Sequence, residues 1–257
     1  MARRDDVLAE LNLAPTWRLR ARAATGERDA AVEERAATPQ APMAAAAMDE
    51  APAYVAEPPL QEDAGVRRIR IAALEWQSFA ADVAACTACG LCRTRTKTVP
   101  GVGDARAEWL FVGEAPGAEE DARGEPFVGQ AGRLLDNMLA AIGVARGKGV
   151  YIANVLKCRP PNNRTPAPLE VDACRPYLER QIALLQPRLV VALGRSAANT
   201  LLGVDATIAS LRGKVHRLDG RPMVVTYHPA YLLRSLPDKA LAWQDLLFAR
   251  RVLREGA

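Results

Sequence analysis

The sequence of 257 residues has no apolar run that approaches the roughly 20 residues a membrane-spanning helix needs. Its first residues, MARRDDVLAELNLAP, include basic side chains but lack the uninterrupted apolar segment of a secretory signal. There are only five cysteines, an odd number in a chain without an export signal, so a disulfide framework is not expected. These absences predict a cytoplasmic protein that is not bound to a membrane and whose cysteines hold a metal or a cluster.

Hydrophobic residues make up 49% of the chain and charged residues 25%, which is typical of a globular protein with a substantial core. The charge is unevenly distributed: residues 1–80 carry a formal net charge of −3, and the remainder carries +7. A basic domain favours a polyanionic partner such as nucleic acid, although an excess of this size also occurs on proteins that bind none.

Residues 1–75 differ in composition from the rest of the chain. Between about residues 36 and 59 the sequence is mostly Ala and Pro, with too few large apolar side chains to offset the entropy of ordering. We therefore predict a disordered extension over residues 1–75 and a folded domain over residues 76–257. Near the start, VLAELNL has apolar residues at near-helical spacing and is followed by Trp17, which predicts either a short frayed helix or a peptide that docks on a protein partner.

Four short runs in the second part of the chain are rich in Val, Ile, Leu and aromatic residues. They are WLFVGEA from Trp109, VYIANVLK from Val150, LVVALG from Leu189 and MVVTYH from Met223. Helical patterns join the first run to the second and the second to the third, and this alternation predicts an α/β fold with a parallel sheet covered on both faces. The ligand crevice of such a sheet lies at the carboxyl ends of its strands. The polar segments that follow the runs are therefore the candidates for chemistry.

The cysteines form pairs. Cys86 and Cys89 make one C-x-x-C, whereas Cys158 and Cys174 are separated by 15 residues. Two pairs supply four thiolate ligands, which suit tetrahedral zinc or an iron–sulfur cluster, and the spacing does not separate the two. Cys92 makes a second C-x-x-C with Cys89, so the choice within this segment stays open on spacing alone.

Individual residues at the strand ends also point to a site. Glu114 sits in GEAPG directly after a strand, in a turn whose small residues permit close backbone approach. Phe127 lies in the loop EPFVGQAG, where it is either a core residue or a stacking platform for a base. Asn154 occupies a strand, so its amide needs a specific partner in a loop or a ligand. His228 ends the last run in YHPAYLL and either caps the loop or faces the crevice.

Taken in order, these motifs resemble those of the family 4 uracil-DNA glycosylases, the iron–sulfur type. The matching segments are GEAPGAEED, GEPFVGQAGRLLD, VYIANVLKCRPPNNRTP, ALGRSAA, LRGK and YHPAYLLR, between about Cys86 and Leu247. The resemblance implies a three-layer α/β/α sandwich on a central four-stranded parallel sheet. It further implies a 4Fe–4S cluster whose four ligands are Cys86, Cys89, Cys158 and Cys174.

The resemblance also implies roles in binding a flipped uracil. Phe127 would stack on the base, and Asn154 would read its edge by accepting from N3–H and donating to O4. The backbone at Ala115 and Gly117 would approach the pyrimidine and the sugar. His228 would donate to O2 and stabilise the charge on the leaving group.

The remaining roles are less specific. Glu114, Glu120 and Asn163 are candidates for activating or positioning the water, with Glu120 also a wall against the methyl group of thymine, and these roles could be exchanged. By resemblance, Leu232 would be the wedge that fills the vacated stack, and Arg234 would contact a phosphate.

The implied function is hydrolysis of the N-glycosidic bond of uracil in DNA, which leaves an abasic site for base excision repair, by a protein expected to be a monomer. Two other classes remain. A trap that binds uracil-containing single strands would carry a basic, His-containing loop near PPNNRTP, where this chain has no His. An iron–sulfur redox or sensor protein would account for the cysteines and leave Phe127 and Asn154 unexplained.

Overall fold

A computed structural model describes residues 62–256. The Ala/Pro-rich segment and the apolar stretch before Trp17 lie outside the described residues, and so do the predictions made for them.

Six strands form one sheet in this part of the chain. They are β1 (Val102–Gly103), β2 (Trp109–Gly113), β3 (Val150–Asn154), β4 (Leu189–Leu193), β5 (His216–Leu218) and β6 (Arg221–Thr226), in the spatial order β1-β3-β2-β4-β6-β5. The central strands β3, β2, β4 and β6 run parallel, and β1 and β5 pair antiparallel at the two edges. The predicted four-stranded parallel sheet is therefore confirmed as the centre of a larger sheet. The two edge strands were missed because two or three residues are too few to show a period.

Helices cover both faces of the sheet. They are α1 (Ala64–Ala72), α2 (Trp76–Ala85), α3 (Ala118–Arg123), α4 (Gln130–Ala141), α5 (Pro168–Leu185), α6 (Arg195–Leu202), α7 (Ile208–Leu211), α8 (Pro229–Leu232) and α9 (Asp238–Glu255), with 3₁₀ turns at Gly90–Arg93 and Pro161–Asn163. None of the described helices is long and apolar enough to cross a membrane.

Alternate residues of the central strands belong to two separate cores. In β2, Leu110 and Val112 pack on the side of α5 and α6, whereas Trp109 and Phe111 pack on the side of α4 and α9. All five residues of β2 are buried, as expected for a strand covered on both faces. The three-layer α/β/α arrangement follows from this alternation.

The parallel register brings the strand ends together. Gly113 at the end of β2 is paired with Asn154 at the end of β3, and Leu193 of β4 with Thr226 of β6. The segments that leave these strands therefore start from the same edge of the sheet, which is where the ligand crevice of an open parallel sheet lies.

The folded part begins earlier than the predicted boundary at residues 75 and 76. Residues 64–72, which the sequence assigned to the extension, form α1. Asp63 caps this helix by accepting hydrogen bonds from the N–H groups of Gly65 and Val66. Ile71 is buried, and the guanidinium of Arg67 donates to the carbonyl of Ala173 in α5 over 2.8 Å. Next to an Ala/Pro-rich segment, a stripe of only two buried residues was too weak to predict α1.

Candidate active site

A cleft of about 500 Å³ opens at the carboxyl edge of the sheet. Its walls include nine of the ten residues that the sequence assigned to catalysis, base binding or DNA binding, namely Glu114, Ala115, Gly117, Glu120, Phe127, Asn154, Asn163, His228 and Arg234. Pro116, Ala131, Pro160, Arg164, Ala230 and Tyr231 complete the lining. The structure thus gathers into one cleft residues that lie as far as 120 positions apart in the chain.

Asn154 presents an unused hydrogen-bond acceptor to this cleft. Its side chain is only 2% exposed, and Oδ1 has no hydrogen-bond partner among the described residues. Gly113 lies beside it, and a Cβ there would be 2.4 Å from Oδ1 of Asn154 and 2.6 Å from Cζ of Phe127. A buried acceptor left unpaired costs about 1–3 kcal/mol. This orphan oxygen therefore marks a place for a donor supplied by a ligand.

Phe127 is held in a conformation that bulky residues rarely adopt. Its φ is 56°, in the left-handed region, where strain is on the order of 1–3 kcal/mol. Arg146 fixes the loop by donating to the carbonyls of Pro126 and Phe127 over 2.7 and 2.8 Å. Gly132 packs beneath, where a Cβ would collide with the carbonyl of Phe127. The ring is thereby held against the cleft, 5.4 Å from the ring of His228.

His228 is poised as a neutral hydrogen-bond donor. Burial, assisted by the charge of Arg234 and opposed by that of Glu120, lowers the pKa of His228 to about 4. Nδ1 accepts the backbone N–H of Ala230 over 3.1 Å, so the hydrogen of the neutral ring resides on Nε2. Gly194 permits the close packing, since a Cβ there would lie 2.9 Å from Cβ of His228.

The two carboxylates of the cleft differ in their freedom. Glu120 accepts hydrogen bonds from the backbone N–H groups of Gly117, Val128 and Gly129 over 3.0–3.3 Å, which fixes it between two loops. Glu114 has no such network; burial raises its pKa, and a hydrogen bond from Ser196 opposes this rise. Glu114 is therefore the carboxylate of the two that is suited to take a proton.

Asn163 lies at the outer rim of the cleft. Its side chain is exposed, and Oδ1 accepts from Nε of Arg159 over 2.7 Å. The residue has a φ of 54°, which Asn tolerates better than most residues. Its amide oxygen is therefore already engaged with Arg159, at the exposed end of the cleft.

A second, smaller cavity lies between α2, the end of β3 and α5. All five cysteines line it: Cys86, Cys89, Cys92, Cys158 and Cys174. We call it the cysteine cavity. Within residues 62–256, no three Cys, His, Asp or Glu side chains converge closely enough to hold a single metal ion.

Four of the five sulfurs accept hydrogen bonds from N–H groups. Arg67 donates to Cys86 over 3.4 Å and Arg95 to Cys158 over 3.1 Å, while backbone N–H groups of Lys157 and Leu91 donate to Cys174 and Cys89. Burial raises the pKa of the thiols of Cys89 and Cys158, and raises that of Cys174 to about 12. Among the described residues no such donor reaches Cys92. The hydrogen bonds to sulfur therefore distinguish the other four cysteines from Cys92.

The described geometry agrees with the comparison to known proteins. A profile of the uracil DNA glycosylase superfamily matches residues 100–247. This chain belongs to that superfamily. A type-4 uracil-DNA glycosylase of Archaeoglobus fulgidus is 49% identical over 160 residues, which are 59% of this chain and 80% of that protein. Another from Thermotoga maritima is 47% identical over 174 residues, 66% of this chain and 90% of that protein.

The chain is more similar in sequence to these type-4 enzymes than to a type-5 enzyme of the same superfamily. A type-5 uracil-DNA glycosylase of Thermus thermophilus is 36% identical over 151 residues, which are 51% of this chain and 68% of that protein. The family predicted from the ordered motifs is confirmed.

Leu232, which the resemblance assigns as the wedge that enters DNA, does not lie where that role requires. Leu232 is 1% exposed, because the single turn of α8 after the cap at His228 directs its side chain into the protein. In this conformation its side chain is not presented to DNA. Besides Arg234, the exposed side chains of the segment from Pro229 to Arg234 are those of Tyr231 and Leu233, at 40% and 42%. Of these, Tyr231 lines the cleft.

The sequence did not predict several residues that line the cleft or support its lining. Tyr231 stacks on Tyr227 with ring centroids 5.2 Å apart, and its hydroxyl donates to Asp238 over 2.6 Å. The guanidinium of Arg212, from the segment LRGK, lies 4.6 Å above the ring of Tyr227. The motif LRGK carries no local pattern that predicts this role for its Arg. Arg146 lies outside every motif and had no signal at all.

Proposed function

We propose that this protein is a uracil-DNA glycosylase that hydrolyses the N-glycosidic bond of uracil in DNA, leaving an abasic site and free uracil. The observation that carries the proposal is the orphan Oδ1 of Asn154 beside the constrained ring of Phe127 and the neutral donor His228. The similarity to two type-4 uracil-DNA glycosylases supports the same substrate.

Base recognition is assigned to stacking on Phe127 and to hydrogen bonds with the amide of Asn154. A uracil stacked on Phe127 offers its N3–H to Oδ1 of Asn154, which supplies the missing donor, while the amide nitrogen donates to O4. Cytosine presents an acceptor at N3 and a donor at C4. The amide oxygen would then face an acceptor, and the amide nitrogen would face a donor. Such a mismatch discriminates by roughly 10⁴–10⁵-fold in sites built around a hydrogen-bonding edge.

Departure of the base depends on His228. As the bond between C1′ and N1 breaks, its electron pair moves onto the uracil ring and is shared between N1 and O2. The N–H at Nε2 of His228 donates to O2 and stabilises this charge. Because the pKa of His228 is about 4, the ring is neutral at pH 7, and it assists as a hydrogen-bond donor without having to give up a proton.

Water addition is assigned to Glu114. The water adds to C1′ and transfers a proton to the carboxylate, whose raised pKa makes it a better base than an exposed Glu. Glu120 is assigned the wall beside C5, because its oxygens are occupied by backbone N–H groups and it can hold a fixed position. Asn163 is assigned to the rim.

DNA binding is assigned to the exposed part of the segment after His228. Arg234 lies at the mouth of the cleft, where it can pair with a phosphate next to the flipped nucleotide. Tyr231, backed by Tyr227 and Arg212, offers an aromatic surface for a neighbouring base. This pair replaces the predicted pair of Leu232 and Arg234.

We further propose a 4Fe–4S cluster in the cysteine cavity, on Cys86, Cys89, Cys158 and Cys174. The donor set fits, since each of these sulfurs receives an N–H hydrogen bond of the kind that supports a bound thiolate. Each iron of such a cluster takes one cysteine, so the sulfurs need not converge on a single ion as they do around zinc. When bound, the cluster would cross-link α2, the end of β3 and α5. The monomeric state, the cytoplasmic location and a protein partner for the N-terminal residues also remain proposals.

The function is tested with a labelled oligonucleotide that contains one uracil, followed by alkali to cleave abasic sites. We expect multiple turnovers, and a loss of about 100-fold or more in Asn154→Asp at neutral pH, because an ionised Asp turns the donor facing O4 into an acceptor. A stable protein–DNA adduct would indicate a trap, and no reaction would favour the redox class. An Asn154→Asp variant with normal single-turnover rates would overturn the pocket assignment.

A further inference from the structure

Lys157 is a buried cation between the two cavities. Its side chain is 1% exposed, and Nζ donates to the backbone carbonyl of Asn154 over 2.7 Å and to Oε1 of Gln181. Gln181 is itself fully buried and held by hydrogen bonds to the carbonyl of Pro100 and the hydroxyl of Tyr151. Among the described residues no carboxylate forms an ion pair with this ammonium group.

Because desolvation disfavours an ammonium group at a buried position, the place of Nζ depends on the two acceptors that hold it. Lys157 also lines the cysteine cavity, and its own backbone N–H donates to Cys174 over 3.3 Å. Its main chain is fixed on the other side as well, since the carbonyl accepts from Val99 over 2.8 Å. One residue therefore touches both the cysteines and the strand end that carries Asn154.

Building on the proposed function, we infer that Lys157 is a positioning residue that ties the base-reading end of β3 to the cysteine cavity. Its ammonium group holds the carbonyl of Asn154, which fixes the direction in which the amide side chain enters the cleft. Its backbone N–H donates to Cys174 at the same time, so the cysteine cavity and the base-reading residue are joined through one residue. Specificity for uracil thus depends on a residue that never touches the base.

The test compares Lys157→Met, which keeps the length and removes the charge, with the exposed control Lys148→Met. In the holoprotein, we expect Lys157→Met to lower the single-turnover rate on uracil by roughly 10- to 100-fold, the range for losing a hydrogen bond from a charged group. Binding to undamaged DNA should be unchanged, because phosphate contacts dominate it. The visible absorbance of the cluster should fade faster than wild type in the presence of a chelator, while Lys148→Met matches wild type in every measurement.

A double-mutant cycle with Asn154→Ala separates positioning from general damage. If Lys157 acts through Asn154, the second substitution adds little once Asn154 is removed, whereas independent sites show additive effects. Additive losses, or a Lys157→Met variant with normal excision and normal cluster lifetime, would overturn the inference. If Lys157→Met is not recovered as a folded holoprotein, Gln181→Leu takes its place: it keeps the lysine, removes one of its two acceptors and should slow excision several-fold at full iron content, and an unchanged rate would refute the role. Failure of the wild-type protein to excise uracil would refute the proposed function instead, and the chelator assay would still test the link to the cysteines.

Discussion

Replacing Gly113 with Ala is the most direct test of the base-binding pocket. The added methyl group would lie 2.4 Å from Oδ1 of Asn154 and 2.6 Å from Cζ of Phe127, well inside normal contact distances. Gly113 lies at the end of a central strand, so its backbone cannot move away easily. Both base-binding side chains must therefore shift. A displacement of about 1 Å in a positioned group can reduce a rate by about 100-fold.

The expected loss of stability is smaller. Overpacking a core costs typically about 1–3 kcal/mol, and 1 kcal/mol lowers the melting temperature of a domain of this size by about 2–4 °C. We expect Gly113→Ala to melt roughly 2–12 °C lower and to excise uracil at least 100-fold more slowly in single-turnover assays at 25 °C, where it is still folded.

The matched control is Gly90→Ala, because a Cβ at Gly90 meets nothing nearer than 3.4 Å. It should keep the wild-type rate and melting temperature. A folded Gly113→Ala variant that excises uracil at a near-normal rate would refute the assignment of Asn154 and Phe127 to the base pocket, since both would have had to move.

Four further predictions concern other parts of the molecule. Lowering the pH from about 6.5 to about 4 should lower the melting temperature, because the unfolded chain takes up a proton that folded His228 resists, and His228→Asn should reduce this dependence. Arg146→Ala should release the strained loop and reduce kcat/KM about 10-fold or more, measured beside the melting temperature. Cys158→Ser should lose iron and soluble expression, whereas Cys92→Ser should retain both in an iron and sulfide assay. Deleting residues 1–61 should leave melting temperature and activity nearly unchanged, whereas also deleting α1 should lower the melting temperature.

The central sheet and the location of the cleft could be predicted because both depend on short-range patterns. Four buried apolar runs with helical connections leave few alternatives to a parallel sheet, and such a sheet gathers its strand ends at one edge. Glu114, Asn154 and His228 each follow or end a strand, so their convergence could be inferred without distances. The cysteine pairs likewise lie next to elements whose positions the sheet determines.

The parts that could not be predicted depend on side-chain direction or on contacts between distant segments. Whether Leu232 or Tyr231 faces the cleft is decided by a single helical turn, in which a shift of one residue rotates the side chain by about 100°. A lysine beside a cysteine motif is ordinarily expected in solvent, so the burial of Lys157 had no signal in the sequence. Arg146 acts through two backbone carbonyls 19 and 20 positions away. Such contacts are visible only once the chain is folded.

Three departures from local preference lie together in the cleft. Oδ1 of Asn154 is an unpaired buried acceptor, Phe127 has a left-handed backbone, and the pKa of His228 is far below its ordinary value. The first two departures are unfavourable for folding, and the third becomes unfavourable as the pH falls below about 6.5. Three such departures at one site are hard to explain by packing. A flat, polar ring with a donor at one edge and a carbonyl at another would pair with Oδ1 of Asn154, stack on Phe127 and accept a hydrogen bond from His228. The energetic pattern of the cleft therefore supports a pyrimidine ligand independently of the family resemblance.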